Sequence, residues 1–278
     1  MPFCPEAEQR AIAAFLDRET TRIDTLIEKK QRQIELLQEK RSALISHAVT
    51  KGLNPNVKMK DSGIEWLGEI PEHWEIKRLR FVAEVNPVKS EVSHLLPNIE
   101  VSFVPMEVVG EFGGLRLDYT RVIDDVYQGY TYFREGDIVI AKITPCFENG
   151  KGSIAEGLTN NVGFGTTELH VVRPGKTLDR RFFFFLSISA PFRQPGEAEM
   201  YGAGGQKRVP DSFVRNYRIP LPPLTEQQQI VKHLDAEWTR IDALSKQVRK
   251  SIDLLREYRM ALISAAVTGK IDARKEVA

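Results

Sequence analysis

The two ends of the chain carry the same pattern of apolar and polar positions, at a constant offset of 218 residues. In both copies apolar side chains recur at helical spacing, and the good helix formers Glu, Gln, Lys, Arg, Ala and Leu dominate. Neither copy has an internal Gly or Pro, and Gly52 and Gly269 follow the ends, where a glycine C-cap belongs. The pattern therefore predicts two helices, each of about 40 residues or roughly 60 Å.

Several segments of the repeat are identical. Thr21-Arg22-Ile23-Asp24 matches Thr239-Arg240-Ile241-Asp242, and Ala43-Leu44-Ile45-Ser46 matches Ala261-Leu262-Ile263-Ser264. The intervening segment must return the chain to the start of the second helix, so an antiparallel helix pair is expected. A break in each helix near Asp17–Thr20 and Asp235–Thr239 is also expected, because Asp and Thr favour caps over helix interiors.

An apolar seam along both copies predicts how the helices meet. Its expected members are Ile23, Leu26, Ile34, Leu37 and Leu44 in the first copy and Ile241, Leu244, Val248, Leu255 and Leu262 in the second. In the second copy four of these recur every seven residues, which is typical of a coiled coil. Lys30 falls within the first seam and weakens it. The alternative is two unrelated amphipathic surface helices, which the shared register disfavours.

The middle of the chain, residues 56–222, has short β-rich runs separated by Gly, Pro and Asn turns. The expected strands are Glu100–Pro105, Asp137–Lys142, Lys151–Ala155 and Glu168–Arg173, with one helix at Asp179–Ser189. The runs on either side of Asn149-Gly150 indicate a hairpin. The fold class predicted is α+β: one globular domain with a twisted, mainly antiparallel sheet, flanked by helical regions 1–55 and 223–278 that form an antiparallel coiled-coil pair.

Charge gives a local signal and no global one. The formal net charge of +1 does not by itself indicate nucleic-acid binding. Between Arg173 and Arg218, however, nine Lys or Arg face four acids, a surplus of about +5. This segment is either a phosphate-facing patch or a scattered solvated surface.

No constellation for catalysis, metal binding or a cofactor stands out, so neither enzymatic activity nor a cofactor is expected. The five His and two Cys lack metal-ligand spacing. Gly175-Lys176-Thr177 has His170 where a phosphate loop needs an upstream glycine. No apolar run is long enough for a membrane span, and the N-terminus does not read as a signal peptide. The unpaired spacing of Cys4 and Cys146 favours a reducing, cytoplasmic location.

Four motifs resemble the specificity subunits of type I restriction–modification systems. They are Ser62-Gly63-Ile64-Glu65-Trp66-Leu67-Gly68, Gly136-Asp137-Ile138-Val139-Ile140-Ala141-Lys142, the segment from Gly202 to Gln227 that includes Gln206-Lys207-Arg208-Val209-Pro210, and the C-terminal helix ending at Thr268-Gly269-Lys270. The resemblance covers nearly the whole chain. It implies a subunit that recognises double-stranded DNA while modification and restriction subunits supply methyl transfer and cleavage.

The chain departs from the full-length pattern of that family, which alternates two recognition domains with two helical regions. Here one recognition domain lies between two helices, and Pro2 aligns with Pro220. The chain is therefore expected to begin where the second half of a full subunit would begin. A truncated gene, an exchangeable or silent cassette and a natural half-subunit all stay open.

Polar loops of the middle domain are the expected DNA-binding elements. The candidates are Lys142, Thr144, Asn149, Lys151, Thr166, Thr167, Gln206, Lys207 and Arg208. Gln can bind adenine and Arg can bind guanine, each through two hydrogen bonds, and Lys suits phosphates. Tyr130 and Tyr132 could stack on bases, although core burial is the stronger expectation.

The expected function is to read one half of a bipartite DNA target and to dock modification subunits through the helices. Two chains associating through their helices would read an inverted, interrupted repeat. Two alternatives are a coiled-coil scaffold that binds protein and the recognition portion of a larger fused restriction enzyme.

Overall fold

A computed structural model describes residues 5–272, which form two compact units. One unit combines the chain up to Arg41 with the chain from Ala236 onward, and the other is Ser42–Asp235. The expectations that concern Cys4 and Pro2 lie outside the described residues. The division falls inside both long helices, so the domain limits at residues 55 and 223 stay predictions. No helix in residues 5–272 is long and apolar enough to cross a membrane.

Helices and strands alternate irregularly along the described chain. The helices are α1 Glu6–Lys51, α2 Ile123–Tyr127, α3 Arg180–Ile188, α4 Ala190–Ala198, α5 Asp211–Asn216 and α6 Leu224–Val267. The strands are β1 Met59–Asp61, β2 Glu69–Pro71, β3 Glu75–Arg78, β4 Ala83–Val85, β5 Glu100–Val104, β6 Thr120–Val122, β7 Thr131–Arg134, β8 Ile138–Ala141, β9 Gly152–Ile154, β10 Val162–Gly165, β11 Leu169–Pro174, β12 Tyr201–Ala203, β13 Gln206–Arg208 and β14 Arg218–Leu221.

Both long helices run without interruption, α1 for 46 residues and α6 for 44. The predicted breaks are therefore absent. In α1 the hydroxyl of Thr20 donates a hydrogen bond of 2.6 Å to the carbonyl oxygen of Leu16, one turn back. This bond satisfies the Thr side chain inside the helix, so the residue does not act as a cap.

The helix unit is an antiparallel pair. Phe15 and Ile23, early in α1, pack in one buried cluster with Leu262 and Ala266, late in α6. Further along α1, the guanidinium of Arg41 stacks 4.5 Å from the ring centre of Trp238, early in α6. Because positions that advance along α1 meet positions that recede along α6, the two helices run in opposite directions.

The repeat makes this pairing internally symmetric. Arg259 Nε lies 3.0 Å from Asp24 Oδ1 across the pair. Adding 218 to 24 gives Asp242, and subtracting 218 from 259 gives Arg41. Burial lowers the pKa of Arg41, and the charge of Asp242 acts in the opposite direction. Asp242 and Arg41, the repeat equivalents of Asp24 and Arg259, therefore also lie close enough for their charges to interact.

The seam residues differ in burial. The buried members are Ile23, Ile241, Val248 and Leu262, and the half-buried members are Ile34, Leu37, Leu44 and Leu255. About two-fifths of the surface is exposed at Leu26 and Leu244. Leu44 belongs to the Ser42–Asp235 unit. A straight helix drifts by about 20° per heptad against a repeat of seven, so a strict seam does not stay on one face. The residue-by-residue interface stays a prediction, to which the structure adds the contact residues Phe15 and Ala266.

The Ser42–Asp235 unit is α+β, with mainly antiparallel strands as predicted. Two four-stranded sheets have the orders β6-β5-β10-β7 and β4-β11-β8-β9, and three further strand pairs are β1-β2, β12-β13 and β14-β3. Within these sheets only β5 and β10 pair in parallel. The hairpin predicted around Asn149-Gly150 is present, because β8 and β9 pair in antiparallel register with Ile138 opposite Ile154.

The core of this unit lies between the sheets and α3. Asp179 caps α3 by accepting hydrogen bonds of 2.9 Å from the backbone N–H groups of Arg181 and Phe182. The cap places all four phenylalanines from Phe182 to Phe185 in buried positions. Burying these rings and the aliphatic side chains of β8 and β11 fixes the strands whose ends carry the polar loops.

Candidate nucleic-acid interface

Three separate segments bring most of the predicted DNA-binding residues together. The backbone N–H of Lys142, just after β8, donates to the carbonyl oxygen of Glu168 at 2.9 Å. The backbone N–H of Thr144 donates to the carbonyl oxygen of Lys207 at 3.0 Å. Ile143 forms an isolated antiparallel bridge with Arg208. We call the resulting group the loop cluster; its members are Lys142, Thr144, Thr166, Thr167, Gln206, Lys207 and Arg208.

An exposed hairpin contributes three members of the loop cluster. Strands β12 and β13 are joined by Gly204 and Gly205, both at positive φ, which is the two-residue turn that suits hairpin twist. At Gly202 a Cβ would lie 2.3 Å from the carbonyl oxygen of Gln206, so only glycine fits. The residues from Tyr201 to Lys207 are all exposed. The local sequence thus builds a short, glycine-dependent projection that a duplex can approach closely.

The base of the hairpin is fixed by an ion pair. Arg208 binds the carboxylate of Glu168 through two nitrogens, and its Nη2 lies 2.7 Å from Oε1. The hydrogen bonds from Arg208 lower the pKa of Glu168 against the effect of its partial burial, and Lys142 lowers it further. The two guanidinium nitrogens with which Arg208 would bind a base are therefore occupied by Glu168. Within residues 5–272, the exposed side chains of Gln206 and Lys207 make no hydrogen bond or ion pair.

Two predicted residues direct their side chains to contacts outside the loop cluster. Asn149 donates a hydrogen bond of 3.2 Å to the carboxylate of Glu111, and Lys151 Nζ donates to the carbonyl oxygen of Met106 at 3.3 Å. Glu111 also bridges Lys151 through the backbone. These contacts place Asn149 and Lys151 along the 106–111 segment. Sequence reasoning did not single out that segment, and no local pattern in it indicates the contact.

A buried histidine anchors the exit of the hairpin. The side chain of His170 is fully buried, and its Nε2 lies 2.9 Å from the carbonyl oxygen of Val209, to which it must donate. Its Nδ1 lies 3.3 Å from Asp211 Oδ1, and Asn86 Nδ2 donates to the other oxygen of Asp211. The close approach of His170 is the main cause that lowers the pKa of Asp211 to about 2. This network ties the segment after β13 to β11.

The loop between β8 and β9 is held by a buried cation. Arg193 donates to the carbonyl oxygens of Phe147 at 2.7 Å and Ser187 at 2.6 Å, and its guanidinium lies 4.5 Å from the ring centre of Phe147. Burial lowers the pKa of Arg193 to about 9. Arg193 is one of the nine basic residues between Arg173 and Arg218, but a buried guanidinium that supports the protein's own loop is not available to a phosphate.

The site offers hydrogen-bond donors, acceptors and cations in a confined area. Exposed Lys207 and half-buried Lys142 supply positive charge, and Gln206 and the threonines supply groups that can both donate and accept. In residues 5–272 no group of three or more His, Cys, Asp or Glu could hold a metal ion. The arrangement suits non-covalent recognition of a polar, anionic partner.

Comparison with known proteins agrees with this chemistry. A family model described as "Type I restriction modification DNA specificity domain" matches residues 71–254. Over 187 residues the chain is 44% identical to the type I restriction enzyme EcoAI specificity subunit of Escherichia coli, covering 66% of this chain and 31% of that protein. Over 280 residues it is 26% identical to the MjaVIII specificity subunit of Methanocaldococcus jannaschii, covering 98% of this chain and 62% of the relative.

The fold has a counterpart among solved structures. A chain from a structure described as showing complex assembly and conformational transition of the type I R-M system superposes with a TM-score of 0.69. The match covers 96% of this chain and 60% of that chain, at 18% sequence identity. The chain therefore spans between about a third and three fifths of the length of the proteins it matches.

Proposed function

Because the chain belongs to the type I restriction modification DNA specificity domain family, we propose that it recognises a specific DNA sequence for a type I restriction–modification system. The observation that carries this proposal is the loop cluster. Segments distant in sequence meet there through backbone hydrogen bonds, and they expose the side chains of Gln206 and Lys207, which have no hydrogen bond or ion pair within residues 5–272. Methyl transfer and cleavage are assigned to separate modification and restriction subunits.

Recognition in this proposal divides the work between side chains. Lys207 and Lys142 contact phosphates and orient the domain, which carries no sequence information. Gln206 reads a base edge, for which adenine is the geometric match. Arg208 reads guanine only by exchanging Glu168 for the base, since its fork is otherwise engaged. The glycines of the hairpin let the backbone approach the duplex.

The helix pair supplies the assembly function in this proposal. We assign docking of modification subunits to the outer faces of α1 and α6. One recognition domain reads one half of a bipartite target, and two chains associated through their helices read an inverted, interrupted repeat. Support for a repeated target comes from the rule that a two-fold protein assembly matches a two-fold DNA site.

A selection from random duplex DNA tests sequence recognition and the dimer together. The full chain, with and without modification subunit, is incubated with the duplex pool and bound DNA is sequenced. We expect enrichment of two inverted half-sites with a fixed gap. A single ungapped asymmetric site would retain the recognition function but refute the dimer. No enrichment, combined with no salt-sensitive affinity, would refute the recognition function and favour a protein-binding scaffold.

Single substitutions in the hairpin separate the two kinds of contact. Lys207→Ala is expected to weaken binding to selected and unselected DNA alike and to reduce the slope of log K against log salt by about 1. Gln206→Ala is expected to cost about 1–3 kcal/mol on the selected site only. Lys58→Ala is the control, because Lys58 is exposed and pairs with Glu72 elsewhere in the unit. Equal effects of all three variants would contradict the assignment.

A further inference from the structure

Most of the cations in the basic segment from Arg173 to Arg218 are already engaged. Arg173 binds Asp137 and Glu91, Arg181 binds Asp235, Arg208 binds Glu168, Arg180 lies 3.7 Å from Glu156, and Arg193 is buried. These five therefore contribute little net charge to a partner. Exposed Lys176, Lys207, Arg215 and Arg218 are left, and of these only Lys207 belongs to the loop cluster.

Lys176 and Arg215 come together with a third cation that lies far away in sequence. Together with Arg80 they line an open cavity of about 530 Å³ between the start of β4 and the end of β11. All three residues are exposed. Arg80 uses one nitrogen to donate to Asn216, and Arg215 uses one to donate to the carbonyl oxygen of Val85. Each guanidinium has five N–H groups, so most of these donors stay available.

The remaining walls of the cavity do not neutralise these charges. Among the cavity residues only Glu84 is acidic, and it lies 3.5 Å from Arg173, which also lines the cavity. The side chain of Lys176 makes no hydrogen bond or ion pair within the described part of the chain. Three exposed cations thus converge on one open concavity, with a single acid beside them. A bound anion would stabilise such a group of cations, because it would offset their mutual repulsion.

The cavity lies at the opposite end of β11 from the loop cluster. Glu168, which binds Arg208, directly precedes β11, and Gly175 of the cavity directly follows it. Six strand residues at about 3.2–3.4 Å each rise about 19–20 Å, a little more than half of the roughly 34 Å turn of B-DNA. Helix α5 also runs between these two ends of β11, because Asp211 at its start lies 3.3 Å from His170, near the start of β11, and Arg215 lines the cavity.

We propose that Arg80, Lys176 and Arg215 form a phosphate-binding site that holds the DNA backbone about half a turn away from the bases read by the loop cluster. The inference rests on the proposed DNA recognition and adds a contact that neither the hairpin nor the family resemblance assigns. Two arginines can each bind a phosphate through two parallel hydrogen bonds, and the lysine adds a point charge. The site contributes affinity and register, and it carries no base specificity.

The test compares two charge-matched triple variants of the full chain. R80Q/K176Q/R215Q removes the site, and K58Q/R116Q/R121Q removes one lysine and two arginines that are exposed elsewhere in the same unit. Fluorescence anisotropy measures affinity for a random-sequence duplex of 30 base pairs across a series of KCl concentrations. The site variant is expected to lose two to three units of the slope of log K against log salt, since each phosphate contact contributes about 0.9. The control is expected to lose less than one.

The outcomes separate this inference from the proposed function. If the parent chain shows no salt-dependent DNA affinity, both the proposed DNA recognition and the proposed phosphate site are refuted. If the parent binds and the two triple variants behave alike, only the phosphate site is refuted. A site variant that keeps DNA affinity but no longer co-elutes with modification subunit would make the cavity a protein-docking surface instead. Inorganic phosphate that raises the melting temperature of the parent and not of the site variant, without any difference in DNA affinity, would overturn the DNA assignment in favour of free phosphate.

Discussion

The ion pair between Arg173 and Asp137 is expected to be a main determinant of stability in the recognition unit. The side chain of Asp137 is 1% exposed and that of Arg173 is 11% exposed. Arg173 donates to both oxygens of Asp137, at 2.7 and 2.8 Å, and also to Glu91 at 2.8 Å. Arg173→Met keeps the aliphatic volume and removes the charge, which leaves a buried carboxylate without its counter-ion. Breaking a buried pair in this way costs about 3–5 kcal/mol.

Urea unfolding followed by far-UV circular dichroism measures this cost. With a slope near 3 kcal/mol per molar urea, a loss of about 3–5 kcal/mol lowers the midpoint by about 1.0–1.7 M. Arg180→Met is the matched control, because Arg180 is exposed and lies 3.7 Å from an exposed Glu156. Such a surface pair is worth about 0–1 kcal/mol.

A rescue variant distinguishes an unpaired charge from simple loss of packing. R173M/D137N is expected to be more stable than R173M, because the Asn at position 137 leaves no buried charge. Asp137 Oδ2 also accepts a hydrogen bond from the backbone N–H of Arg134, which an Asn side-chain oxygen can preserve. Equal midpoints for R173M and R180M, or no rescue by the second substitution, would refute the reasoning.

Three further predictions concern other parts of the chain. Ile23→Ala is expected to destabilise the helix pair by about 2–5 kcal/mol in urea unfolding, because Ile23 is 4% exposed and packs in the buried cluster. Asp211→Asn is expected to lower stability at pH 7 by at most about 1 kcal/mol, because the carboxylate is half exposed. The pKa of Asp211 is about 2 in the folded protein, below the unfolded value near 3.9. The difference in free energy of unfolding between variant and parent is therefore present above pH 4 and disappears as the pH falls through 2. Gly202→Ala is expected to lower DNA affinity several-fold while changing the free energy of unfolding by less than about 1 kcal/mol, since its Cβ would collide with the backbone of an exposed hairpin.

Two of these predictions have a control variant, and the pH dependence tests the third. Leu26→Ala, at a position that is 40% exposed in the same helix, should cost less than 1 kcal/mol. Gly204→Ala lies in the same hairpin and is strained only by its positive φ, because its Cβ would meet nothing within 4 Å, so DNA affinity should fall less than in Gly202→Ala. An Asp211→Asn effect that persists unchanged at pH 2, or a Gly204 variant as impaired as the Gly202 variant, would contradict the explanations given.

The sequence predicted both long helices, helix α3 and four of the strands, because their signals are local. The repeat predicted both long helices, and a short apolar, β-rich run bounded by turn residues predicted a strand at Asp137–Lys142, where the structure has Ile138–Ala141. Hydrophobic period and turn residues act over a few positions, so they can be read without knowledge of the fold. The helix breaks were wrongly predicted because an intrahelical hydrogen bond from Thr20 overrides its preference for a cap.

The composition of the candidate site was less predictable, because it depends on pairings over long sequence distances. Arg208 is engaged by Glu168, 40 residues away, and Arg173 by Asp137, 36 residues away. A count of charges along the chain treats such residues as free cations. The cavity with Arg80, Lys176 and Arg215 was missed for the complementary reason, since its third cation lies outside the basic segment. Only the folded strands and helices determine which charges are left for a partner.

The symmetry of the helix pair has a consequence for partner exchange. Asp24 pairs with Arg259, and the copy of Arg259 in α1 is Arg41, so the α1 helix of a second chain could offer Asp24 an equivalent arginine. A chain's own α6, however, is joined to α1 through the folded Ser42–Asp235 unit, and a tethered partner is present at an effective concentration of about a millimolar or more. At micromolar protein concentration the pairing of α1 with α6 of the same chain is therefore favoured over pairing with a second chain. Two chains that assemble through these helices must therefore either open both internal pairs and swap, or meet through the outward-facing surfaces that the internal pairing leaves uncovered.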